Sequence, residues 1–290
     1  MVRIALITGC SSGFGLLTVV DMARAGFRVI ATMRDLSRRA RLDQAVVEAG
    51  VLDRVELRRL DITDFDSLPA AVGEIVKTYG RIDVLVNNAG YALGGFAEDI
   101  QLEELRAQFE TNFFGQVALT RAVLPIMRKQ RGTRPDAPHL AGHIIMVSSI
   151  SGLTSNPVTS SYSASKHALE GWTESLRLET LGLGIKVAAV EPGAYDTDIW
   201  SANVKIGKTA LSGESPNADR ARRFANVVKT RLKKADPREV SQLITGIAQD
   251  PHPNLRYLVG RDALMRYWSQ RLLPWKFYEK QIIKYTAIDR

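Results

Sequence analysis

Residues 2–27, VRIALITGCSSGFGLLTVVDMARAGF, decide the fold. Ile4–Thr8 is apolar on both faces, which is the pattern of a buried strand. A glycine-rich turn follows, and then an amphipathic helix that ends near Gly26. Gly9, Gly13 and Gly15 give the turn a TGxxxGxG spacing. Glycine lets the backbone turn tightly and approach a pyrophosphate, whose charge then rests at the positive end of the next helix. Gly-Ser clusters are usually plain turns, so this one gains meaning from its place between a strand and a helix. Ser11, Ser12 and Phe14 fill the loop between the glycines.

The second informative stretch is SSYSASKHALEGWTESLRLE, residues 160–179, where Tyr162 and Lys166 stand four apart. Residues i and i+4 share one helical face, so both can point into one cleft. A phenol is a poor acid near neutrality, with an ordinary pKa of about 10. A neighbouring ammonium favours the phenolate and is expected to lower that value. Upstream, the strand-like HIIMVSS ends in Ser149, whose hydroxyl can hold a substrate oxygen beside the phenol. Together the three make an apparatus for exchanging a proton with an alcohol or carbonyl oxygen.

Strand-like segments recur along the chain, at Ile4–Thr8, Arg28–Thr32, Val55–Arg59, Asp83–Asn87, His143–Ser149, Lys186–Val190 and Arg256–Val259. Helical segments separate them. This alternation predicts an α/β fold with a doubly wound parallel sheet of the Rossmann type, ligand-bound along the carboxyl ends of the strands. No interior linker or repeat divides it, so residues 1–260 are expected to form one cofactor-binding domain and 261–290 a C-terminal extension on that domain.

These motifs resemble the short-chain dehydrogenase/reductase family, in its single-domain branch. The resemblance spans roughly residues 3–260. TGCSSGFG matches the cofactor loop, and Asp61-Ile62 in LDITD matches the pair that receives the adenine. Asn88, Ala89 and Gly90 belong to the NNAG motif after the fourth strand. Asn112 in ETNFFG matches the helix asparagine of a catalytic tetrad completed by Ser149, Tyr162 and Lys166. EPGAYDT puts Pro192, Gly193 and Thr197 where the family binds the nicotinamide carboxamide. The resemblance also implies that Lys166 bonds the nicotinamide ribose, that Asn112 holds a water leading to solvent, and that the enzyme is a homodimer or homotetramer.

Composition agrees with a single α/β domain: 290 residues, one cysteine and no apolar run near the roughly 18 residues that span a bilayer. With a strand expected from Ile4 no removable leader is expected, and the lone Cys10 fits a reducing, cytoplasmic setting. Cys10 reads as a small residue in a tight turn. The four histidines have no metal-ligand spacing, so no metal is expected. A net charge of +8 is spread over LSRRARLD, RKQRGTRPD and other segments without any nucleic-acid-binding motif, so no nucleic acid is expected as partner.

Cofactor choice is read from VIATMRD, residues 29–35. An enzyme that prefers NAD usually sets a carboxylate here against the adenosine ribose. This chain has Arg34, a guanidinium that suits a 2′-phosphate, and Asp35 one place further on is expected to start the next turn. NADP(H) is favoured and NAD(H) remains open. The expected chemistry is carbonyl–alcohol interconversion on a small molecule, with reduction as the expected direction; a cofactor-binding sensor without turnover is the alternative. The substrate walls are expected from Tyr91-Ala92-Leu93, Ile150–Thr159 and Tyr195–Phe224, with Tyr195 and Trp200 as contacts. Their apolar character suggests a lipophilic or aromatic substrate. TGCSSGFG, ATMRDL and SASKHALEGWTESLRLE resemble the 17β-hydroxysteroid and retinol dehydrogenase neighbourhood, which also holds bacterial oxidoreductases, and that resemblance implies a steroid- or retinoid-like substrate. The tail carries Tyr267, Trp268, Trp275, Phe277, Tyr278 and Tyr285 among seven basic and three acidic residues. It is expected to pack near the active-site entrance or against a second subunit. A membrane surface is not expected, because no long, clean apolar stripe is visible in it.

Overall fold

The computed structural model describes residues 1–133, 137–200, 203–211, 215–231 and 234–286. Its main sheet joins β1 (Ile4–Ile7), β2 (Arg28–Met33), β3 (Val55–Arg59), β4 (Val84–Asn87), β6 (Gly142–Val147), β7 (Ile185–Pro192) and β9 (Arg256–Val259). The order across the sheet is β3-β2-β1-β4-β6-β7-β9, and every pairing is parallel. The chain works outward from β1 in one direction and from β4 in the other. The crevice at this reversal, outside the strand carboxyl ends, is where an open α/β sheet binds its ligand.

Alternation along the strands builds two cores. On one face Ala5, Ile7, Val29, Ala31, Val84 and Val86 meet α1 (Gly13–Arg24) and α9 (Arg238–Gln249) through Val19, Met22, Val240 and Ile244. On the other face Ile4, Leu6, Ile30, Leu85 and Ile144 meet α3 (Leu68–Tyr79), α5 (Gly115–Lys129) and α6 (Ser160–Thr180) through Val72, Leu119, Val123 and Leu169. Strands buried on both sides have no polar face, which is why the sequence shows apolar runs instead of alternation. Between β2 and α3, α2 (Ala40–Glu48) covers the first core.

Several boundaries differ from the sequence expectation. The strand expected to reach Ser149 ends at Val147, because Ser149 leaves the ladder to cap the turn Ile150–Gly152, its Oγ accepting from the Ser151 amide at 3.1 Å. A second, two-stranded parallel sheet pairs β5 (Ala92–Gly94) with β8 (Val204–Ile206). Helix α4 (Leu102–Phe109) runs into α5 through a π-helical turn, Glu110–Phe114, that carries Asn112. Beyond β8 come the short α7 (Lys208–Leu211) and α8 (Ala218–Arg231), and after β9 the tail forms α10 (Arg261–Leu272) and α11 (Trp275–Thr286). Helix α10 meets β9, and α11 meets α8.

Candidate active site

The loop after β1 is tied directly to the loop after β4. Thr8 Oγ1 accepts from the amides of Asn88 and Ala89, both at 3.0 Å. Asn88 Nδ2 in return donates to the carbonyls of Thr8 at 2.8 Å and Gly9 at 3.1 Å. Two glycines make this closeness possible. Gly9 has φ 72°, and a Cβ there would lie 2.8 Å from the Ala89 Cα. A Cβ on Gly15 would sit 2.5 Å from Asn88 Nδ2 and strike the Gly9 carbonyl. The start of α1 is therefore pressed against bare backbone. Its unpaired first-turn amides and the positive end of its dipole form an anion cradle that fits a dinucleotide pyrophosphate.

At the ribose end of the cleft Asp35 is a lining residue that caps the turn Leu36–Arg38, accepting from the Ser37 amide at 2.9 Å. Arg34 and Arg38 line the cleft beside it. Arg38 donates to Asn203 Oδ1 at 3.1 Å, and Asn203 Nδ2 reaches Ser12 Oγ at 3.2 Å, which links this corner to the glycine loop. Asp61 Oδ1 accepts from the amide and hydroxyl of Thr63 at 3.0 and 2.7 Å, fixing the turn after β3 next to Ile62.

At the chemical end, Tyr162 and Lys166 emerge from the first turns of α6 and are both 3 % exposed. The Tyr162 hydroxyl is hydrogen-bonded to Ser149. Lys166 Nζ donates to the Val147 carbonyl at 2.8 Å and stands 5.9 Å from the Tyr162 ring centroid. Asn112 accepts from the Tyr91 amide at 3.1 Å and donates to the Tyr91 carbonyl at 3.0 Å and Ser165 Oγ at 3.1 Å. It thereby pins the π-turn to α6 one residue before the lysine. Pro192 and Gly193 end β7, and the amide of Ala194 donates to Asp262 Oδ2 at 2.8 Å. Thr197 lies against Gly13.

One cleft of about 400 Å³ gathers these groups. Of the candidate cofactor and catalytic residues, Gly15 and Asn112 stand outside its lining and the others line it. Of the expected substrate walls, Tyr91, Tyr195, Ile199 and Val204 line it, Ala92, Leu93, residues 150–159 and Phe224 do not, and the side chain of Trp200 lies outside the described residues. Tyr195 reaches the wall with its ring edge-on to Phe14, and its hydroxyl donates to Glu239 at 2.7 Å.

Residues 3–205 match the family model described as short chain dehydrogenase. The chain belongs to the short-chain dehydrogenases. It is 42 % identical over 284 residues to the oxidoreductase YusZ of Bacillus subtilis, covering 97 % of this chain and 98 % of that one. It is 37 % identical over 262 residues to a 3-ketodihydrosphingosine reductase of Bacteroides thetaiotaomicron, covering 89 % and 88 %. Among solved structures, a short-chain dehydrogenase from Streptomyces avermitilis superposes with a TM-score of 0.79 at 31 % identity, covering 100 % and 98 %. ElxO with NADP bound gives 0.73 at 26 % identity, covering 93 % and 100 %.

In this short-chain dehydrogenase the electrostatics differ from the sequence expectation at one point. Burial pushes the Tyr162 phenol up to about 12, with the Ser149 hydroxyl working the other way. The lowering expected from Lys166 does not prevail over burial; its Nζ donates to the Val147 carbonyl and is itself brought down to about 8 by burial, with Glu170 opposing. Cys10 is an inert thiol, pushed up to about 12 by burial and donating to the Ile7 carbonyl at 3.2 Å.

Sequence reading missed some of the supporting residues. Thr8, Ser165 and Asn203 are small polar residues whose partners lie far along the chain. Arg41 reaches Asp198 at 2.5 Å and Lys205 lies 4.4 Å over the Tyr91 ring, so the segment around β8 is held across the cleft from both sides. Val158, just before α6, has φ 67°, an uncommon conformation for a β-branched residue, with its carbonyl accepting from the Gly95 amide at 2.9 Å.

Proposed function

We propose that this short-chain dehydrogenase interconverts a ketone or aldehyde and the corresponding alcohol, with NADP(H), on a lipophilic small molecule. The observation that carries the reading is the buried Tyr162 hydroxyl, hydrogen-bonded to Ser149 and opening on the same cleft as the glycine cradle. When bound, the nicotinamide supplies or accepts the hydride. Ser149 holds the substrate oxygen beside the phenol, and Tyr162 donates the proton to it. The ammonium of Lys166, on the same helical face, stabilises the phenolate left behind. A phenol held near 12 is protonated at neutrality, so Tyr162 meets the substrate oxygen as a proton donor. Asn112 keeps the π-turn and α6 in register behind these groups.

Arg34 and Arg38 at the ribose corner, with the Asp35 carboxylate engaged by the Ser37 amide, support a 2′-phosphate. The likeness to ElxO with NADP bound points the same way. Tyr91, Ile199, Val204 and Phe14 give the cleft apolar walls, and a relative named 3-ketodihydrosphingosine reductase supports a long-chain carbonyl substrate. The test is to follow NADPH and NADH oxidation over a panel of ketones of increasing chain length, with wild type and Arg34→Asp. Wild type should prefer NADPH and gain kcat/KM with chain length. Losing a charge-assisted bond worth about 1.5–3 kcal/mol should lower the NADPH/NADH ratio of the variant roughly tenfold or more. A wild type that prefers NADH, or that turns over only short polar carbonyls, contradicts the proposal.

A further inference from the structure

The tail turns an apolar face outward. On α10 Leu264, Met265, Trp268 and Leu272 lie within about 100° of the helical circumference, a stripe as wide as the one an ordinary surface helix buries. Here it faces away from the protein: Met265 is 69 % exposed, Trp268 53 % and Leu272 74 %. Trp275 and Phe277 carry the exposed apolar surface on into α11, at 62 % and 51 %. The inward side is already occupied, with Ala263 and Tyr278 buried and α11 seated on α8. Arg266, Tyr267, Ser269 and Gln270 separate these residues in sequence and lie elsewhere around α10, so the exposed stripe is short, as the sequence reading of no long, clean stripe expects.

Charge says what this face fits. Residues 261–286 carry six basic side chains and two acidic ones. One of the acids, Asp262, is engaged by the Ala194 amide at 2.8 Å. Lys276, Lys280 and Lys284 are exposed and spaced i, i+4, i+8, so they form a single row along α11. Like charges at this spacing weaken a helix unless an opposite charge lies across from them. A second copy docking through the same face would bring like charges together. An anionic lipid surface supplies both what the lysines need and what the tryptophans and aliphatic side chains need. No helix among the described residues is long and apolar enough to cross a membrane.

We infer that α10 and α11 form a docking face for an anionic membrane surface, held by Leu264, Met265, Trp268, Leu272, Trp275 and the lysine row. Helix α10 starts against the Pro192–Ala194 segment through Asp262, so the docked face begins beside the cleft. The inference concerns a surface and stands whatever the substrate is.

Co-sedimentation of the full-length protein with phosphatidylcholine vesicles, with and without phosphatidylglycerol, tests it. The protein should bind the anionic vesicles, bind pure phosphatidylcholine far more weakly, and come off at high salt. A triple Lys276→Gln, Lys280→Gln, Lys284→Gln variant should bind on the order of a hundredfold more weakly, at about fivefold per lysine. The pair Trp268→Asp, Leu272→Asp should lose at least tenfold. Both variants should keep the wild-type melting temperature, since all five side chains are exposed. Absence of binding to anionic vesicles, or binding that survives both variants, overturns the inference. So does light scattering that shows a wild-type dimer falling apart in the Trp268→Asp, Leu272→Asp variant without any vesicle binding, which would assign the face to a second copy.

Discussion

A phenol enclosed by protein keeps its proton, and at Tyr162 burial outweighs the polar group beside it. The lysine that should assist it is held near 8, so it is charged below that pH and neutral above. Tyr162 as the acid and Lys166 as the supporting cation together give kcat/KM for carbonyl reduction a definite shape. It should be level from neutrality to about pH 8 and fall above that as Lys166 loses its proton. Glu170 raises the Lys166 value, so Glu170→Gln should move the break to lower pH; an unmoved break would mean that another group sets it. The identities of Ser149, Tyr162, Lys166 and Arg34 were legible because each sits at a fixed spacing from a strand end or helix start. The protonation balance was not, since spacing reports which groups are neighbours and not how far water is excluded from them.

The element that orders the cofactor end is the unit of β1, its glycine loop and α1. Its strand, turn and helix were readable locally, since an apolar run, a glycine cluster and a helical period follow one another without a gap. Gly15→Ala would drive a methyl into Asn88 Nδ2 and the Gly9 carbonyl, neither of which can withdraw without breaking the tie between the two loops. Overpacking of this kind costs about 1–3 kcal/mol. The variant should lose NADPH affinity tenfold or more in a fluorescence titration, while the circular dichroism of the sheet and helices stays native. Wild-type affinity would mean that the cradle does not meet the cofactor. The pairing of β5 with β8 was not legible. Two three-residue strands far apart in the chain have no period, and their pairing depends on where α4 and the chain after β7 place them. The early end of β6 was hidden for a related reason, because Ser149 extends the apolar run but spends its hydroxyl on the next turn.

Over the whole molecule, the alternation of strands and helices led to the expectation of a doubly wound parallel sheet, and the structure shows one; the order of its strands was not read from the sequence. What alternation does not show is the buried charge under β7. Glu191 is fully buried, accepting from the Tyr257 amide at 2.9 Å and ion-paired at 3.5 Å with Arg256, which also meets Glu170 and reaches Glu174 at 2.7 Å. Burial, and then the nearby Glu170, push Glu191 up to about 8. The folded protein therefore binds a proton that the unfolded chain has released, between the ordinary carboxylate value of about 4.3 and 8. Stability is full at the acidic end of that window and declines as pH rises through it. Glu191→Gln keeps an acceptor for the Tyr257 amide and removes the titration. Its melting temperature should match wild type near pH 5 and exceed it at pH 8, by roughly 2–4 °C per kcal/mol relieved. Parallel pH dependence in the two proteins would show that Glu191 remains ionised in the fold.

The most direct test of the account is single-turnover reduction of a long-chain ketone by wild type and Tyr162→Phe, read from NADPH absorbance, with NADPH affinity titrated in parallel. If Tyr162 is the proton donor, the variant retains NADPH affinity within about twofold and loses roughly 10²–10⁴ in rate. A variant that keeps more than about a hundredth of the wild-type rate with native affinity would place the acid elsewhere and contradict the account.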